Sequence, residues 1–229
     1  MASRLVKSVK ENNFSLVVSI PKNDLELAQA AEKAGADGIK VHLNVGHFAS
    51  GTDFGSWQKE KKAVYDILAG VSIPVGILPG ADVVAEKNEI VDALQMGIDF
   101  IDSFAHNFPV YLWGLEEPGK MVAVNQGYNR QQVEALDKLG TDIFEATLLT
   151  HEDYGKDLTL KDLALYGELC SWTEKPVLIP TQKKIKPGEV RYLKQAGASG
   201  IIIGAVATGH TPLGLFETAH YFKQAINRL

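Results

Sequence analysis

The segment AAEKAGADGIKV, residues 30–41, contains the pattern that decides the fold. A helix-forming stretch ends at Gly35, where a left-handed cap can stop a helix, and an apolar run of strand length follows. The same order recurs in ALQMGIDFID (93–102), ALDKLGTDIFEAT (135–147) and LKQAGASGIIIG (193–204). Helix, glycine and strand in repeated succession predict a parallel α/β fold.

Eight apolar runs have the length of strands, at 14–20, 37–45, 74–79, 99–104, 120–125, 142–147, 176–181 and 200–205. Helices are predicted between and after them, at 24–34, 57–69, 87–96, 107–116, 129–139, 159–173, 187–196 and 212–228. Eight strand–helix units predict a (β/α)8 TIM barrel, a fold of about 250 residues, as a single domain over 1–229. An open doubly wound sheet is the main alternative, but it would need fewer strands or a longer chain.

Composition limits the partners that the chain is expected to have. A formal net charge of −5 gives no reason to expect nucleic acid or an anionic membrane surface as a partner. The first residues, MASRLVKSVKENN, lack the apolar core of a signal peptide, and the single Cys170 suits a reducing compartment. We therefore expect a cytoplasmic protein that binds neither nucleic acid nor membrane. A homodimer is compatible with the sequence, which does not set the oligomeric state.

The strand predicted within DGIKVHLNVGH (37–47) alternates in polarity. Its apolar residues fall on one face, and Lys40, His42 and Asn44 fall on the other. In a barrel, the polar face would point into the interior and climb towards the carboxyl-terminal rim, where active sites of this fold lie. A lysine in that interior needs a partner or a ligand. The alternatives are a register shifted by one residue, or a purely structural ion pair.

Two other predicted strands supply acids for the same interior. Glu145 shares a strand face with Thr147, and Asp102 follows an apolar run at a strand end. Buried charges pair or shift their pKa values, as acid–base catalysts do. The predicted catalytic residues are Lys40, His42, Asp102 and Glu145, and the predicted substrate-binding residues are Asn44, Asn125 and Thr147. His106 is a further rim candidate, whereas His47 and His151 are predicted to be solvent-exposed loop residues.

A metal site formed by His42, Asp102 and Glu145 is conceivable. However, the chain contains no HxH or HExxH motif and no cysteine cluster. We therefore expect neither a bound metal ion nor another cofactor.

The segment GASGIIIGAVATGHTPLG (197–214) carries the signal for a phosphate ligand. Barrels of this size often bind phosphate with the loops after their last two strands and the amino end of a short extra helix. The small residues here let the backbone approach an anion closely. The predicted phosphate-binding residues are Thr181, Gln182, Lys183, Gly204, Ala205 and Val206. An ordinary strand–helix turn with solvated lysines is the alternative.

In their order, several motifs resemble those of the N-acetylmannosamine-6-phosphate 2-epimerase family of ribulose-phosphate-binding barrels. The motifs are SLVVSI, AEKAGADGIKV, IPVGIL, GIDFIDSF, LGTDIFEATLLT, KPVLIP and GASGIIIGAVATG, from about residue 14 onwards. The resemblance places Lys40 at a family arginine, Asp102 at an aspartate and Thr147 at a threonine. However, Pro79 and Pro180 stand where the family has its catalytic lysine and glutamate. The resemblance therefore implies a shared scaffold and phosphate site, and not the epimerase chemistry.

We expect an enzyme that acts on a small phosphorylated metabolite, such as a sugar phosphate, by proton transfer next to a carbonyl. Such isomerase-like or epimerase-like chemistry would use Lys40 to polarise the carbonyl or to form a Schiff base. Glu145 or Asp102 would be the base, and a Lys40/Glu145 pair would replace the missing family catalysts. The alternatives are a non-catalytic phosphometabolite-binding or regulatory barrel, and an aldolase or lyase on the same scaffold.

Overall fold

Eight parallel strands close into a barrel in the computed structural model, which describes residues 3–229. The barrel strands, β1 to β8 in chain order, are Ser15–Ser19, Gly38–His42, Val75–Leu78, Phe100–Phe104, Gly119–Val124, Ile143–Ala146, Val177–Pro180 and Gly200–Ile203. Each strand pairs with its neighbours in the chain, and β8 pairs with β1 to close the barrel. Every predicted strand is present, and the predicted (β/α)8 barrel is confirmed.

Helices surround this barrel at the predicted places, with two departures. The helices, α1 to α10, are Arg4–Glu11, Leu25–Lys33, Trp57–Gly70, Lys87–Met96, Val110–Trp113, Arg130–Lys138, Leu160–Cys170, Val190–Gln195, Ala205–Thr208 and Pro212–Ile226. The predicted helix at 107–116 is reduced to α5 and a 3-10 turn at Ala105–Asn107. The sequence analysis did not predict α1. Among the helices of the described part of the chain, none is long and apolar enough to cross a membrane.

The first helix closes the amino-terminal end of the barrel. Leu5, Val6 and Val9 of α1 pack against a layer of interior side chains. That layer consists of Val17, Phe100, Met121, Ile143, Leu178 and Ile202. The carboxylate of Asp99, just before β4, accepts hydrogen bonds from the backbone N–H groups of Arg4 and Leu5 and so caps the helix. The functional end of the barrel is therefore the opposite, carboxyl-terminal rim.

Strand register determines which side chains enter the interior. Lys40 aligns with Gly76, and Gly76 aligns with Phe100. A side chain at Gly76 would collide with the Phe100 ring, whose atoms lie 2.2 Å from the position of a Cβ. The absent side chain on β3 thus makes room for the ring that fills the barrel beneath Lys40.

A hairpin that the sequence analysis did not predict follows β2 at the rim. Its strands, Val45–His47 and Thr52–Phe54, pair antiparallel. The run 37–45 was interpreted as one strand, but β2 ends at His42 and the chain turns at Asn44, whose φ is 48°. We call residues 45–54 the rim hairpin.

Gly76→Ala tests the packing beneath the site. Because the new Cβ would overlap the Phe100 ring, we expect the free energy of unfolding to fall by about 1–3 kcal/mol. Gly188→Ala is the matched control, since a Cβ there meets no atom within 4 Å. Chemical denaturation of both variants measures the difference, and equal stabilities would contradict this account of the packing.

Candidate active site

An ion cluster lies at the centre of the barrel, where β2, β4 and β6 contribute one charged side chain each. The Nζ atom of Lys40 lies 2.5 Å from Oδ2 of Asp102 and 2.8 Å from Oε2 of Glu145. All three side chains are less than one-tenth exposed. The predicted interior position of Lys40 and its pairing with these two acids are confirmed, so the register derived from strand alternation was right.

The pKa values of the three groups are shifted in different directions by burial and by their neighbours. Burial alone would make Lys40 release its proton, but the charges of Asp102 and Glu145 outweigh burial and raise its pKa above the ordinary value. Burial also opposes ionisation of Glu145, yet Lys40 and several hydrogen bonds lower the pKa of Glu145 to about 2. The pKa of Asp102 is raised well above its usual value by burial and by the charge of Glu145. Within the cluster, burial and neighbouring charges thus favour the ammonium form of Lys40, the carboxylate form of Glu145 and the neutral form of Asp102.

The two acids also differ in their remaining hydrogen bonds. Oε1 of Glu145 accepts a hydrogen bond from the Thr147 hydroxyl at 2.9 Å, so both of its oxygens are occupied. Oδ1 of Asp102 is buried and has no hydrogen-bond partner among the described residues. Asp102 borders the cavity above the cluster. Of the two acids, Asp102 is therefore the one with an oxygen that no described residue occupies.

His42 lies one layer above Lys40 on the same strand and is fully buried. Its Nε2 atom lies 3.1 Å from the Ser19 hydroxyl, and its Nδ1 atom has no partner among the described residues. Burial, followed by the positive potential of His47 and Lys40, lowers the pKa of His42 well below its ordinary value. Burial thus favours the neutral imidazole, and His42 is among the residues that border the cavity.

The prediction that His47 is solvent-exposed is wrong. The rim hairpin carries His47 back over the barrel, where it is half-buried and its ring centroid lies 4.8 Å from that of His42. Burial, with the charge of Lys40, lowers the pKa of His47 to about 4. His151 is exposed as predicted, but it also borders the cavity.

The cavity above the ion cluster has a volume of about 720 Å³ and opens at the carboxyl-terminal rim. Phe48, at the tip of the rim hairpin, reaches across the opening and stacks on His151, with centroids 4.1 Å apart and planes inclined by 8°. Phe48 follows β2 and His151 follows β6, and these strands lie opposite each other in the barrel. We call this Phe48–His151 stack the rim bridge.

Two spaces meet at the ion cluster. The large chamber is the 720 Å³ cavity, which extends over β3, β4 and β5 and contacts Leu78, Phe104 and Asn125. The small chamber, of about 80 Å³, lies over β7, β8 and β1 and contacts Thr181, Gly204 and Ser19. Lys40, Glu145 and Thr147 border both chambers. A ligand at the ion cluster can therefore extend into both chambers.

The residues predicted to bind phosphate divide into two groups. Gly204 borders the small chamber and precedes α9, so the backbone N–H groups of Ala205 and Val206 come before the first intrahelical hydrogen bond. The Thr181 hydroxyl accepts a hydrogen bond from the Gly204 N–H group at 2.9 Å and fixes this turn. These four residues form one backbone cradle beside the small chamber.

Gln182 and Lys183 have other partners, contrary to the prediction. The amide group of Gln182 exchanges hydrogen bonds with the backbone of Leu149, at 2.9 and 3.2 Å. The ammonium group of Lys183 is buried, 3.4 Å from Asp153 and 3.6 Å from Asp162. The loop after β7 folds against the segment after β6, and this packing gives both side chains protein partners, although Gln182 still borders the small chamber.

The three predicted substrate-binding residues also differ. Asn125 and Thr147 border the large chamber, and Oδ1 of Asn125 accepts a hydrogen bond from the Gly127 N–H group. Asn44 does not border either chamber, because its turn conformation directs its amide to the carbonyl of Pro79. Its assignment to substrate binding stays a prediction. His106 is exposed and its Nδ1 atom lies 3.2 Å from the Tyr128 hydroxyl.

The sequence analysis missed the aromatic residues of the rim. Phe48, Phe104 and Tyr154 all border the large chamber. Gly46 and Gly51, on either side of HFAS, indicate a hairpin turn. The preceding strand pattern continues up to them without a break, so the turn is not evident from the sequence. Within residues 3–229, no group of three or more His, Cys, Asp or Glu side chains is arranged to hold a metal ion.

Comparison with known proteins supports the architecture. No protein-family model matches the chain, and no curated protein matches its sequence. Among solved structures, thiamine phosphate pyrophosphorylase from Pyrococcus furiosus has a TM-score of 0.67 at 13% identity, over 95% of this chain and 97% of that chain. A tryptophan synthase from Mycobacterium tuberculosis has a TM-score of 0.70 at 15% identity, over 99% of each chain.

A third similar structure is (S)-3-O-geranylgeranylglyceryl phosphate synthase from Thermoplasma acidophilum, in complex with sn-glycerol-1-phosphate. Its TM-score is 0.65 at 17% identity, over 98% of this chain and 97% of that chain. At these identities the likeness shows the (β/α)8 fold alone. The epimerase family that the motifs resemble stays a prediction.

Lys40→Met tests the ion cluster. The substitution leaves the Glu145 carboxylate buried without its counter-ion, so we expect the free energy of unfolding to fall by about 3–5 kcal/mol. Adding Glu145→Gln removes the unpaired charge and should recover much of the loss. Lys184→Met is the control, because Lys184 is exposed and such changes alter stability by about 0.5 kcal/mol or less. Chemical denaturation measures all three, and an unchanged stability of Lys40→Met would contradict the buried pairing.

Proposed function

We propose that this barrel is an enzyme that moves a proton between a carbonyl oxygen and the adjacent carbon of a small phosphorylated metabolite. The observation that carries the proposal is the buried ion cluster, in which one Asp102 oxygen has no hydrogen-bond partner among the described residues and the pKa of Asp102 is raised by burial and by Glu145. A carboxyl group kept neutral near pH 7 can donate a proton to a substrate oxygen. A purely structural ion pair would not need this additional acid beside the cavity.

His42 supplies the complementary base. Strand register places His42 and Asp102 at one level, both aligned with Leu78 of β3 between them. Their backbones are thus separated by about 10 Å, the width of two strand spacings, and a carbonyl carbon and its neighbour fit between the two side chains. In the tautomer that donates Nε2–H to Ser19, the Nδ1 lone pair is free to accept the carbon-bound proton.

Lys40 acts as a fixed positive charge in this proposal. Its ammonium group donates to two carboxyl groups, and its pKa is raised, so it is poorly suited to attack a carbonyl. The raised pKa disfavours the Schiff-base aldolase alternative. The positive charge instead stabilises the oxyanion that forms as the carbon loses its proton. Glu145 holds Lys40 in position, and Thr147 holds Glu145.

The phosphate group of the substrate is assigned to the cradle of Thr181, Gly204, Ala205 and Val206. Free backbone N–H groups beside the small chamber support this assignment, because such groups bind phosphate oxygens. Two similar structures support it too, since one is a thiamine phosphate pyrophosphorylase and the other is a synthase bound to sn-glycerol-1-phosphate.

Proton transfer can be measured without knowledge of the product. We expect the protein in deuterated water to introduce deuterium next to the carbonyl of one or more sugar phosphates in a panel followed by NMR. Asp102→Asn keeps an acceptor for Lys40 but removes the acid, so labelling should slow by about 10²–10⁴-fold. Lys184→Met is the control and should label at the wild-type rate. Phosphates that bind without labelling would instead favour the non-catalytic binding barrel.

Gly204→Asp tests the phosphate cradle. Its carboxylate would repel an anion at the start of α9, so we expect binding of inorganic phosphate, measured by calorimetry, to be lost. Gly204→Ala is the matched control, because a Cβ at this position meets its nearest atom at 3.7 Å and leaves the N–H groups in place. Unchanged phosphate affinity in Gly204→Asp would place the anion elsewhere.

A further inference from the structure

The large chamber is bigger than the proposed proton transfer requires. Its volume of about 720 Å³ lies within the 300–1,000 Å³ of pockets that enclose whole drug-sized ligands. Its charged side chains, Lys40, Asp102 and Glu145, all lie at the floor, in the ion cluster. The space above them extends over β3, β4 and β5, away from the phosphate cradle beside β7 and β8. It therefore has room for a second part of the substrate.

One wall of the large chamber is aromatic. Phe104 follows Asp102 by two residues on β4, so it projects towards the same interior, one layer closer to the rim. Its ring stacks on His106, with centroids 5.0 Å apart and planes inclined by 27°. Tyr128 holds His106 through a contact of 3.2 Å between the hydroxyl and Nδ1. The Phe104 ring is therefore fixed before any ligand enters.

The rim bridge is the second aromatic wall. Phe48 is 58% exposed and therefore lies outside the large apolar core of the chain. Its ring lies against His151, and Tyr154 meets both rings edge-on at 5.4 and 5.3 Å. A phenylalanine held by stacking over a cavity mouth covers ligand surface that would otherwise face water.

Small residues leave the space between these walls open. Gly80 and Ala81 follow β3, Ala123 lies on the inner face of β5, and Gly127 follows that strand. Ala123 pairs with Phe104 in the register, so a larger side chain there would occupy the space beside the ring. The chamber is thus a slot with aromatic walls and small residues between them.

We infer that the substrate carries a planar aromatic group, which occupies the large chamber while its phosphate occupies the cradle beside the small chamber. The inference rests on the proposed function, since the reacting carbons would lie between the two groups at the ion cluster. Aromatic rings gain from offset stacking and edge-on contacts beyond their buried area, and the chamber offers both. A sugar phosphate without such a group would leave the slot filled with water.

Calorimetry with matched probes tests this inference. Benzyl phosphate and cyclohexylmethyl phosphate have the same connectivity, but only the first is planar, and methyl phosphate lacks the ring. We expect benzyl phosphate to bind about 2- to 12-fold more tightly than cyclohexylmethyl phosphate, the range that aromatic contacts supply. Phe104→Leu keeps an apolar side chain but removes the ring, and it should abolish this preference.

Phe216→Leu is the matched control, because Phe216 also stacks on a histidine, at 5.6 Å and 10°, but borders neither chamber. It should leave the preference unchanged. Equal affinities for the two ring-bearing phosphates would overturn the assignment of a planar group. Ring-bearing phosphates that bind no better than methyl phosphate would overturn the use of the large chamber, while the phosphate cradle would stand.

If the assignment of phosphate to the cradle is wrong, the calorimetry gives a different result. No phosphate would then bind, including inorganic phosphate. The large chamber is still testable with benzyl alcohol and cyclohexylmethanol in ligand-observed saturation-transfer NMR. A signal for benzyl alcohol that exceeds that of its partner and disappears in Phe104→Leu supports the aromatic slot. Equal signals overturn it.

Discussion

Two carboxyl groups and one ammonium group share the centre of this barrel, a place that branched apolar side chains ordinarily fill. Charges taken out of water are stable only when they are paired and hydrogen-bonded, so Lys40 fixes the positions of Asp102 and Glu145. This requirement links β2, β4 and β6 across the interior. The apolar layer beneath, sealed by α1, keeps water from the amino-terminal side of the cluster.

The cluster also separates the roles of two chemically similar acids. Both oxygens of Glu145 are occupied and its pKa is lowered, whereas the pKa of Asp102 is raised and one of its oxygens has no partner among the described residues. Opposite pKa shifts in neighbouring carboxyl groups are the usual basis for acid and base assignments in active sites. The neutral His42, beside the same cavity, completes a set that can give and take one proton.

Local patterning was sufficient for much of this molecule. The helix–glycine–strand repeat located four of the eight strands, and apolar runs of strand length located the others, because each unit must bury an apolar strand between its neighbours and its helix. Strand alternation located Lys40, Asp102 and Glu145 because side chains on a strand point to opposite faces in turn. It failed at Asn44, since alternation holds only while the strand continues, and β2 ends at His42. It failed for His47 because a hairpin returns the chain over the barrel.

The sequence by itself determined the fold and the inward direction of the charged side chains, since both follow from periodicities within a few residues. Only the tertiary structure decided which groups remain free for a ligand. Gln182 and Lys183 are occupied by the segment after β6, and Asp102 alone of the two acids keeps an unpaired oxygen. The rim bridge likewise joins loops about one hundred residues apart, at positions 48 and 151. Such contacts depend on how opposite sides of a closed barrel meet, and no pattern within a few residues predicts a contact between residues so far apart in the chain.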